Sequence, residues 1–390
     1  MRELYADIGW RSILHHGEEL CGDHVEVVES GGNSQVMVLA DGLGSGVKAS
    51  ILSTLTSRII STMMASGMTL EACVAAVADA LPMDSEKHVA YCTFTIICIR
   101  DAQEMEIIQF DSPPVLVLRG CDVYRLRWEK MTVADKVITR AVLPVREGDV
   151  LVAMSDGVPN ASPVATYSYT WQEQDIADYL KIFAPVGYSA KTLATLLTDE
   201  CYRRYGEKPL DDATACVICM RPKKSVHILF GPPKDPSDDK LLMDTFFGAK
   251  GVHIICGGTT AKIAGNYLGK PIQALHATIP SDLPPMSTIE GVDLVTEGVL
   301  TMTRVGEYVA DNASENLRYT EWSNGRDGAC RIARLLLEEG TDIHFYAGRA
   351  LNPAYQNPDL KIAYNVKMHI VKQLAGTLRS MGKHVTVQEI

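Results

Sequence analysis

The chain has 390 residues, of which 46% are apolar and 22% charged, and this is the composition of a globular protein. Its length predicts two domains rather than one. The formal net charge of −11 argues against binding to nucleic acid or to an anionic membrane surface. No segment approaches the roughly 18 unbroken apolar residues of a membrane span, and the N-terminus lacks the basic start and apolar core of a signal peptide.

Ten cysteines are spread through apolar segments of the sequence rather than clustered. In a chain of this length, that distribution predicts reduced, buried thiols and a cytoplasmic location. One pair, Cys216 and Cys219, has the spacing of a metal-binding or redox motif. The pair falls within a predicted strand, where residues three apart point to opposite faces, so we expect it to share no metal.

The first part of the chain mixes short strands with helices. Apolar alternation around a Gly-Gly-Asn-Ser turn predicts a hairpin, and a run of short segments rich in Val, Ile, Thr and Tyr predicts an antiparallel meander. The expected strands are residues 25–30, 35–40, 90–100, 104–111, 115–119, 123–128, 149–154 and 213–220. Helical spacing predicts helices over residues 46–65, 69–81 (capped by Thr69), 172–182 and 189–204.

The composition changes near residue 221, where Pro and Lys mark a boundary. Beyond it, strands over residues 226–230, 252–256, 292–295, 342–346 and 385–387 alternate with helices over residues 237–248, 259–268 and 360–381. Such alternation predicts a mostly parallel sheet covered by helices. The sequence thus predicts an α+β, sandwich-like domain over residues 1–222, followed by a smaller α/β domain over residues 225–390.

Four aspartates stand at strand ends or turns of the first domain. Asp41 and Asp156 each follow an apolar strand and precede a glycine, Asp23 precedes the first strand, and Asp211 precedes the last strand. Converging carboxylates repel one another unless cations neutralise them, and hard oxygen ligands favour Mg²⁺ or Mn²⁺. A single Asp-Gly at a strand end is most often only a turn. Composition and periodicity alone therefore predict no more than a divalent-metal site.

The order of these motifs resembles a known family. The motifs are Gly22-Asp23, Leu39-Ala-Asp-Gly-Leu-Gly-Ser-Gly, Met154-Ser-Asp-Gly and Asp211-Asp-Ala-Thr. Over residues 1–221 they resemble the metal-dependent PPM (type 2C) Ser/Thr protein phosphatases, and most closely the bacterial branch typified by stage II sporulation protein E. Asp111-Ser-Pro-Pro also lies where that branch has a Pro-Pro turn. The resemblance implies an αββα sandwich with a site for two metal ions at one end of two packed sheets.

The resemblance also implies roles for individual residues. Two ions, Mn²⁺ or Mg²⁺, would be bridged by Asp41. Asp156 and Asp211 would hold the first ion, while Asp23 and the carbonyl of Gly42 would hold the second. A dimetal-bound water, for which Asp41 and Asp156 would be the catalytic ligands, would attack a phosphoserine or phosphothreonine on a regulatory protein. Asp212 falls where many relatives have Asn, so we treat it as a neighbour of the site.

Two departures from the family pattern limit what the resemblance implies. Eukaryotic relatives grip the phosphate with an early arginine, and here Arg2 and Arg11 are the only early candidates, neither within a matching motif. The chain also lacks the membrane segments of the sporulation protein. The glycines of residues 42–46 could form an anion site helped by Lys48. We favour the alternative that they let the backbone approach the metals and start the helix.

In the second domain, Gly257-Gly-Thr-Thr follows a predicted strand and could receive an anion. We favour an ordinary turn with Thr259 as helix N-cap. His253, His276 and His344 are expected to be structural.

Three functions remain open. The first is a metal-dependent phosphoprotein phosphatase with a regulatory second domain, and the second is a non-catalytic phosphoprotein-binding module with that domain as ligand sensor. The third is an enzyme whose α/β domain uses a nucleotide. A Ser/His/Asp hydrolase is disfavoured because Ser155 lies outside a Gly-x-Ser-x-Gly motif. The expected partners are a phosphorylated regulatory protein, a second copy of the chain and a small ligand on the second domain, with neither nucleic acid nor membrane.

Overall fold

The computed structural model describes residues 3–80, 92–120, 122–133, 136–162, 171–275, 283–350 and 361–390. The chain divides into two compact units, Met1–Pro222 and Lys223–Ile390. The roles that the sequence assigned to two domains stay predictions. Several features of the sequence prediction lie outside the described residues. They are Arg2, Cys121, His276, the predicted strand start at residue 90 and the predicted helix end at residue 81.

The first unit contains two antiparallel sheets. The six-stranded sheet has the order β2-β3-β4-β5-β9-β8. Its strands are β2 (Asp23–Glu29), β3 (Gln35–Gly42), β4 (Cys92–Arg100), β5 (Glu104–Phe110), β8 (Glu129–Val133) and β9 (Lys136–Pro144). The five-stranded sheet has the order β1-β11-β10-β6-β7. Its strands are β1 (Leu4–Ile13), β6 (Leu116–Arg119), β7 (Asp122–Val123), β10 (Val150–Met154) and β11 (Ala213–Pro222).

Helices cover the outer faces of both sheets. The helices of this unit are α1 (Gly46–Ala65), α2 (Leu70–Ala80), α3 (Glu173–Phe183) and α4 (Ala190–Arg204). Helices α1 and α2 pack on the six-stranded sheet, and α3 and α4 pack on the five-stranded sheet. Thr69 caps α2 as predicted, because its hydroxyl accepts a hydrogen bond from the backbone N–H of Ala72 at 3.3 Å.

Side chains alternate between the two faces of each strand. The strands of the two sheets therefore contribute to three apolar layers. In β3, Val36 and Val38 face the helices, whereas Met37 and Leu39 face the core between the sheets. The layers are therefore helix, sheet, sheet, helix, and the predicted αββα sandwich is confirmed. The same alternation separates the two cysteines of the C-x-x-C pair, since Cys216 lies between the sheets and Cys219 faces the helices.

Three details of the first unit differ from the sequence prediction. Strand β1 was not predicted at all. The predicted meander is divided between the two sheets, because β4 and β5 pair in one sheet while β6 pairs with β10 in the other. The predicted strand over residues 123–128 is wrong, since only Asp122–Val123 is extended there. A hairpin of β8 and β9 follows instead.

The second unit contains a seven-stranded sheet of order β14-β15-β16-β13-β12-β17-β18. Its strands are β12 (Ser225–Phe230), β13 (Val252–Cys256), β14 (Gln273–Ala274), β15 (Ser287–Thr288), β16 (Leu294–Thr296), β17 (Asp342–Ala347) and β18 (His384–Glu389). The five neighbouring strands β16, β13, β12, β17 and β18 run parallel to one another. The short strand β15 pairs antiparallel with β14 on one side and with β16 on the other. The predicted α/β class with a mostly parallel sheet is confirmed.

Helices cover both faces of this sheet. They are α5 (Asp239–Gly248), α6 (Gly258–Leu268), α7 (Val299–Ala313), α8 (Tyr319–Asn324), α9 (Gly328–Arg334) and α10 (Lys361–Ser380). Residues of α7, α9 and α10 pack on one face, and residues of α5 and α6 pack on the other. Helices α7, α8 and α9 were not predicted.

The burial of the cysteines agrees with the sequence-based expectation as far as the structure describes them. The nine cysteines within the described residues are free thiols, and eight of these are buried. Among the described helices, none combines the length and apolar character that crossing a membrane requires.

Candidate metal centre

The first pair of aspartates is brought together by the hairpin of β2 and β3. Asp23 begins β2 and lies directly opposite Asp41, near the end of β3. The backbone N–H of Gly42 donates to the carbonyl of Gly22 at 3.2 Å, which extends the pairing by one residue. Because directly opposed residues in an antiparallel pair lie close together, the hairpin fixes two carboxylates at one end of the six-stranded sheet.

The second pair comes from the other sheet. Asp156 follows β10, and Asp211 precedes β11, which is the neighbour of β10. Ser155 and Thr214 hold these two strand ends together. The backbone N–H of Ser155 donates to the carbonyl of Thr214 at 3.0 Å, and the backbone N–H of Thr214 donates to Ser155 Oγ at 2.8 Å.

Asp23 is buried, with 6% of its surface exposed. Its Oδ2 atom finds no hydrogen-bond donor among the described residues. Burial raises the pKa of Asp23 well above its ordinary value, the charge of Asp41 raises it further, and hydrogen bonds from the side chains of Thr214 and Ser155 oppose the rise. This carboxyl group is therefore oriented by two hydroxyls and keeps one oxygen without a partner.

Electrostatic interactions place the four aspartates at a common end of the sandwich. Burial, followed by the charges of Asp156 and Asp211, raises the pKa of Asp41 to about 7. Burial, followed by the charge of Asp156, raises the pKa of Asp211 to about 6. The carboxylates nevertheless do not close into a ready-made ligand cluster of three or more side chains within the part of the chain that the structure describes. The structure thus brings the four predicted aspartates into electrostatic contact.

These observations fit a divalent cation. A buried carboxylate oxygen without a donor, and neighbouring carboxyl groups with raised pKa values, are the properties of a site that lacks positive charge. The atoms that would bind the ion are carboxylate and carbonyl oxygens, which suit Mg²⁺ or Mn²⁺. The residues that the sequence proposed as ligands are therefore compatible with such an ion.

Asp212 anchors the chain that leads into β2. Its carboxylate accepts hydrogen bonds from the backbone N–H of His15 at 3.0 Å and from that of Gly22 at 2.8 Å. It is buried, with 3% of its surface exposed. Sequence reasoning treated Asp212 only as a neighbour, and it did not identify the contribution of Ser155 and Thr214. The motifs contained all three residues, but their role depends on contacts between β2, β10 and β11.

The glycines of the two Asp-Gly motifs are required by close packing. A Cβ atom on Gly42 would lie 2.2 Å from the carbonyl oxygen of Ala49 in α1, and one on Gly157 would lie 2.1 Å from the carbonyl oxygen of Asp212. Neither distance leaves room for a side chain. These glycines therefore bring the metal-site backbone against α1 and against the Asp212 segment.

The N-terminus of α1 already faces a carboxylate. Ser45 Oγ donates to Glu18 Oε1 at 3.2 Å, and a Cβ atom on Gly46 would lie 2.6 Å from Glu18 Oε2. Because this carboxylate is hydrogen-bonded to the hydroxyl of the N-cap residue Ser45, the structural interpretation of the glycine-rich turn is favoured over an anion site. Glu18 was not identified from the sequence. Arg11 is an ion-pair partner of Asp199 in α4 and so contacts a helix rather than the four aspartates.

Comparison with known proteins shows what the first unit is similar to. Residues 31–221 match the family model described as stage II sporulation protein E. Stage II sporulation protein E of Bacillus subtilis (strain 168) is 23% identical over 209 residues, which are 52% of this chain and 24% of that protein. The chain therefore spans about a quarter of the length of this curated relative.

Solved structures give two further similarities. The phosphatase domain of the Bacillus subtilis sporulation protein aligns with 57% of this chain and 95% of its own, with 18% identity and a TM-score of 0.44. A crystal structure of RsbX in complex with magnesium aligns with 56% of this chain and 100% of its own, with 14% identity and a TM-score of 0.40. The resemblance predicted from the motifs is confirmed by the family match, which covers residues 31–221 of the first unit.

Proposed function

We propose that the first unit is a metal-dependent protein serine/threonine phosphatase acting on a phosphorylated regulatory protein. The observation that supports this most directly is the electrostatic convergence of Asp23, Asp41, Asp156 and Asp211 at one end of the sandwich. Carboxylates from two sheets interact electrostatically there, in a part of the chain that matches the family model.

Two divalent ions, Mn²⁺ or Mg²⁺, would be held by these residues. Asp41 would bridge the pair, Asp156 and Asp211 would hold one ion, and Asp23 with the Gly42 carbonyl would hold the other. When bound, such ions lower the pKa of water and neutralise charge on a phosphoryl group, which is the chemistry that a phosphoester hydrolysis needs.

The protein's own residues would keep the ligands in place. The hydroxyls of Ser155 and Thr214 orient the Asp23 carboxyl group, and Asp212 holds the segment that ends at Gly22. The second unit would regulate the phosphatase by binding a small ligand or a partner, and sheet edges would allow a homodimer.

Hydrolysis of a phosphoserine peptide and of an aryl phosphate in Mn²⁺, Mg²⁺ or EDTA tests the proposed function. We expect metal-dependent turnover by the wild-type chain and its loss in Asp41→Asn and Asp156→Asn. Asp178→Asn is the matched control, because this exposed carboxylate on α3 contacts Lys181 and Gln174 instead. Calorimetric titration with Mn²⁺ gives a readout independent of turnover, and the two site variants should bind the ion more weakly.

The outcomes separate the alternatives. Tight Mn²⁺ binding without turnover of any phosphoester by folded protein would favour the non-catalytic phosphoprotein-binding module. Equal turnover by Asp41→Asn and Asp178→Asn would contradict the assignment of the site.

A further inference from the structure

The parallel strands of the second unit end at an edge rich in glycine. Across the sheet, the parallel strands lie in the order β16, β13, β12, β17 and β18. Numbered along the chain, this is the order third, second, first, fourth and fifth. Ligands of open α/β sheets bind beyond the carboxyl ends of such strands. A glycine follows within two residues of four of these ends, at Gly231, Gly257, Gly298 and Gly348.

One side of this edge is closely packed, and the other has more room. A Cβ atom on Gly348 would lie 2.1 Å from the carbonyl oxygen of Pro232, so the backbones that follow β12 and β17 are packed against each other. Cβ atoms on Gly257 and Gly258 would make only ordinary van der Waals contacts, at 3.6 Å and 3.5 Å, respectively. The part of the edge with room for added atoms therefore lies beyond β13 and β16.

Two helices begin at this less tightly packed part of the edge. Helix α6 starts after Gly257 and α7 starts after Gly298, and a Cβ atom on Gly298 would lie 3.8 Å from the Cα atom of Gly257. In the described structure, neither helix has a hydrogen-bonded side-chain cap or an acidic residue in its first turn. The first backbone N–H groups of a helix lack partners within it and carry partial positive charge. Two such ends meeting at one point favour an anion more than either does alone.

A buried hydroxyl without a partner lies at the same point. Thr260, in the first turn of α6, has 0% of its surface exposed, and its Oγ1 has no hydrogen-bond partner among the described residues. This oxygen is the atom nearest to a Cβ built on Gly257, so it lies at the start of the helix. Leaving a buried hydroxyl unpaired costs free energy. A ligand that accepts a hydrogen bond beside Gly257 would remove that cost.

The neighbouring carboxylate narrows the chemistry of the ligand. Glu297 is exposed, and its Oε1 lies 3.5 Å from the Cβ position of Gly258. Its charge would repel a free phosphate ion, whereas it could accept hydrogen bonds from the hydroxyls of a larger molecule. Helix ends, a hydroxyl donor and a carboxylate acceptor together match a phosphate attached to a sugar.

We propose that the second unit binds the phosphate group of a small sugar phosphate or nucleoside phosphate where α6 and α7 begin. The Thr260 hydroxyl donates to the phosphate, and Glu297 accepts from the sugar hydroxyls. The prediction that Thr259 caps the helix is wrong, because Gly257 occupies the N-cap position and supplies no side-chain cap. The inference goes beyond the proposed phosphatase activity and does not depend on it.

Isothermal titration calorimetry of the full chain with AMP, ribose 5-phosphate and inorganic phosphate tests this proposal. EDTA in the buffer suppresses metal-dependent phosphate binding by the first unit. We expect both sugar-bearing ligands to bind more tightly than inorganic phosphate. Thr260→Val should weaken their binding by about tenfold, the effect of losing a hydrogen bond to a charged group. Thr245→Val on α5 is the matched control, because its hydroxyl is exposed and donates only to the carbonyl of Leu241.

Two further variants make the test independent of Thr260. Thr259→Asp places a carboxylate in the exposed first turn of α6 and should abolish binding without loss of thermal stability. Glu297→Gln should strengthen the binding of inorganic phosphate and reduce the advantage of the sugar-bearing ligands. Tighter binding of AMP than of ribose 5-phosphate would identify a nucleoside phosphate as the ligand. Equal affinity for the two would show that the site recognises the sugar phosphate part. Absence of binding by all three ligands at millimolar concentration, or equal binding by wild type, Thr260→Val and Thr259→Asp, would overturn the proposal.

Discussion

Replacing Gly42 by alanine should destabilise the first unit substantially. The new Cβ atom would lie 2.2 Å from the carbonyl oxygen of Ala49, more than 1 Å closer than the ordinary contact distance of 3.4 Å. The obstacle is backbone of α1, which cannot rotate away as a side chain would. Overpacking of this kind costs about 1–3 kcal/mol, and we expect a value at the upper end because strand and helix must separate. The shift would also move the Gly42 carbonyl and weaken Mn²⁺ binding.

Gly44→Ala is the matched control for this prediction. Gly44 has φ +90°, and its Cβ atom would meet nothing within 4 Å, so alanine there incurs only backbone strain of about 1–2 kcal/mol. Calorimetric unfolding of the full chain in EDTA measures both changes in the free energy of unfolding. A Gly42→Ala protein within about 0.5 kcal/mol of wild type, the range of neutral surface substitutions, would refute the reasoning. So would a Gly42→Ala protein more stable than Gly44→Ala.

Three further predictions concern stability. Arg119→Met should destabilise the first unit by about 3–5 kcal/mol in urea unfolding, because the guanidinium of Arg119 pairs with both oxygens of the buried Asp149. Arg203→Met should cost less than about 1 kcal/mol, because the Arg203 side chain is exposed and its partner Glu200 keeps its ion pair with Arg204. Burial lowers the pKa of His227 below 6.5. Its neutral form therefore contributes stability that is present above pH 6.5 and is lost as the pH falls, and the melting temperature of His227→Gln should depend less on pH between 8 and 5. Gly376→Ala, with free space around the added methyl group within α10, should raise the free energy of unfolding by about 0.5–1 kcal/mol; an unchanged melting transition would contradict this.

Three histidines of the second unit lie side by side in an arrangement that no sequence pattern predicted. His227, His253 and His344 occupy the same register on β12, β13 and β17. The ring centroids of His227 and His344 lie 4.7 Å apart, and those of His227 and His253 lie 5.3 Å apart. Each histidine is isolated in the sequence, and only the pairing of parallel strands stacks them.

Strand β1 was missed for a related reason. Its apolar residues Leu4, Ala6, Ile8 and Trp10 alternate with Asp7, Gly9 and Arg11, and Asp and Gly are depleted in strands. The structure accommodates each by a distant contact. The carboxylate of Asp7 accepts from Arg221, the Cβ position of Gly9 is filled by the backbone of Lys191, and Arg11 pairs with Asp199. Residues that argue against a strand locally are thus satisfied by partners about 180 to 214 residues away.

By itself, the sequence determined the class of the fold, the position of the change between the two units and the identity of the candidate ligands. These properties follow from local periods and short motifs, such as the alternation in β3 and the glycines after Asp41 and Asp156. Only the tertiary structure decided which side chains meet. The division of the predicted meander between two sheets, the burial of Asp23 and the joint start of α6 and α7 each depend on pairing between distant strands. Local propensity carries no information about such pairing, because it is selected by the burial of whole faces.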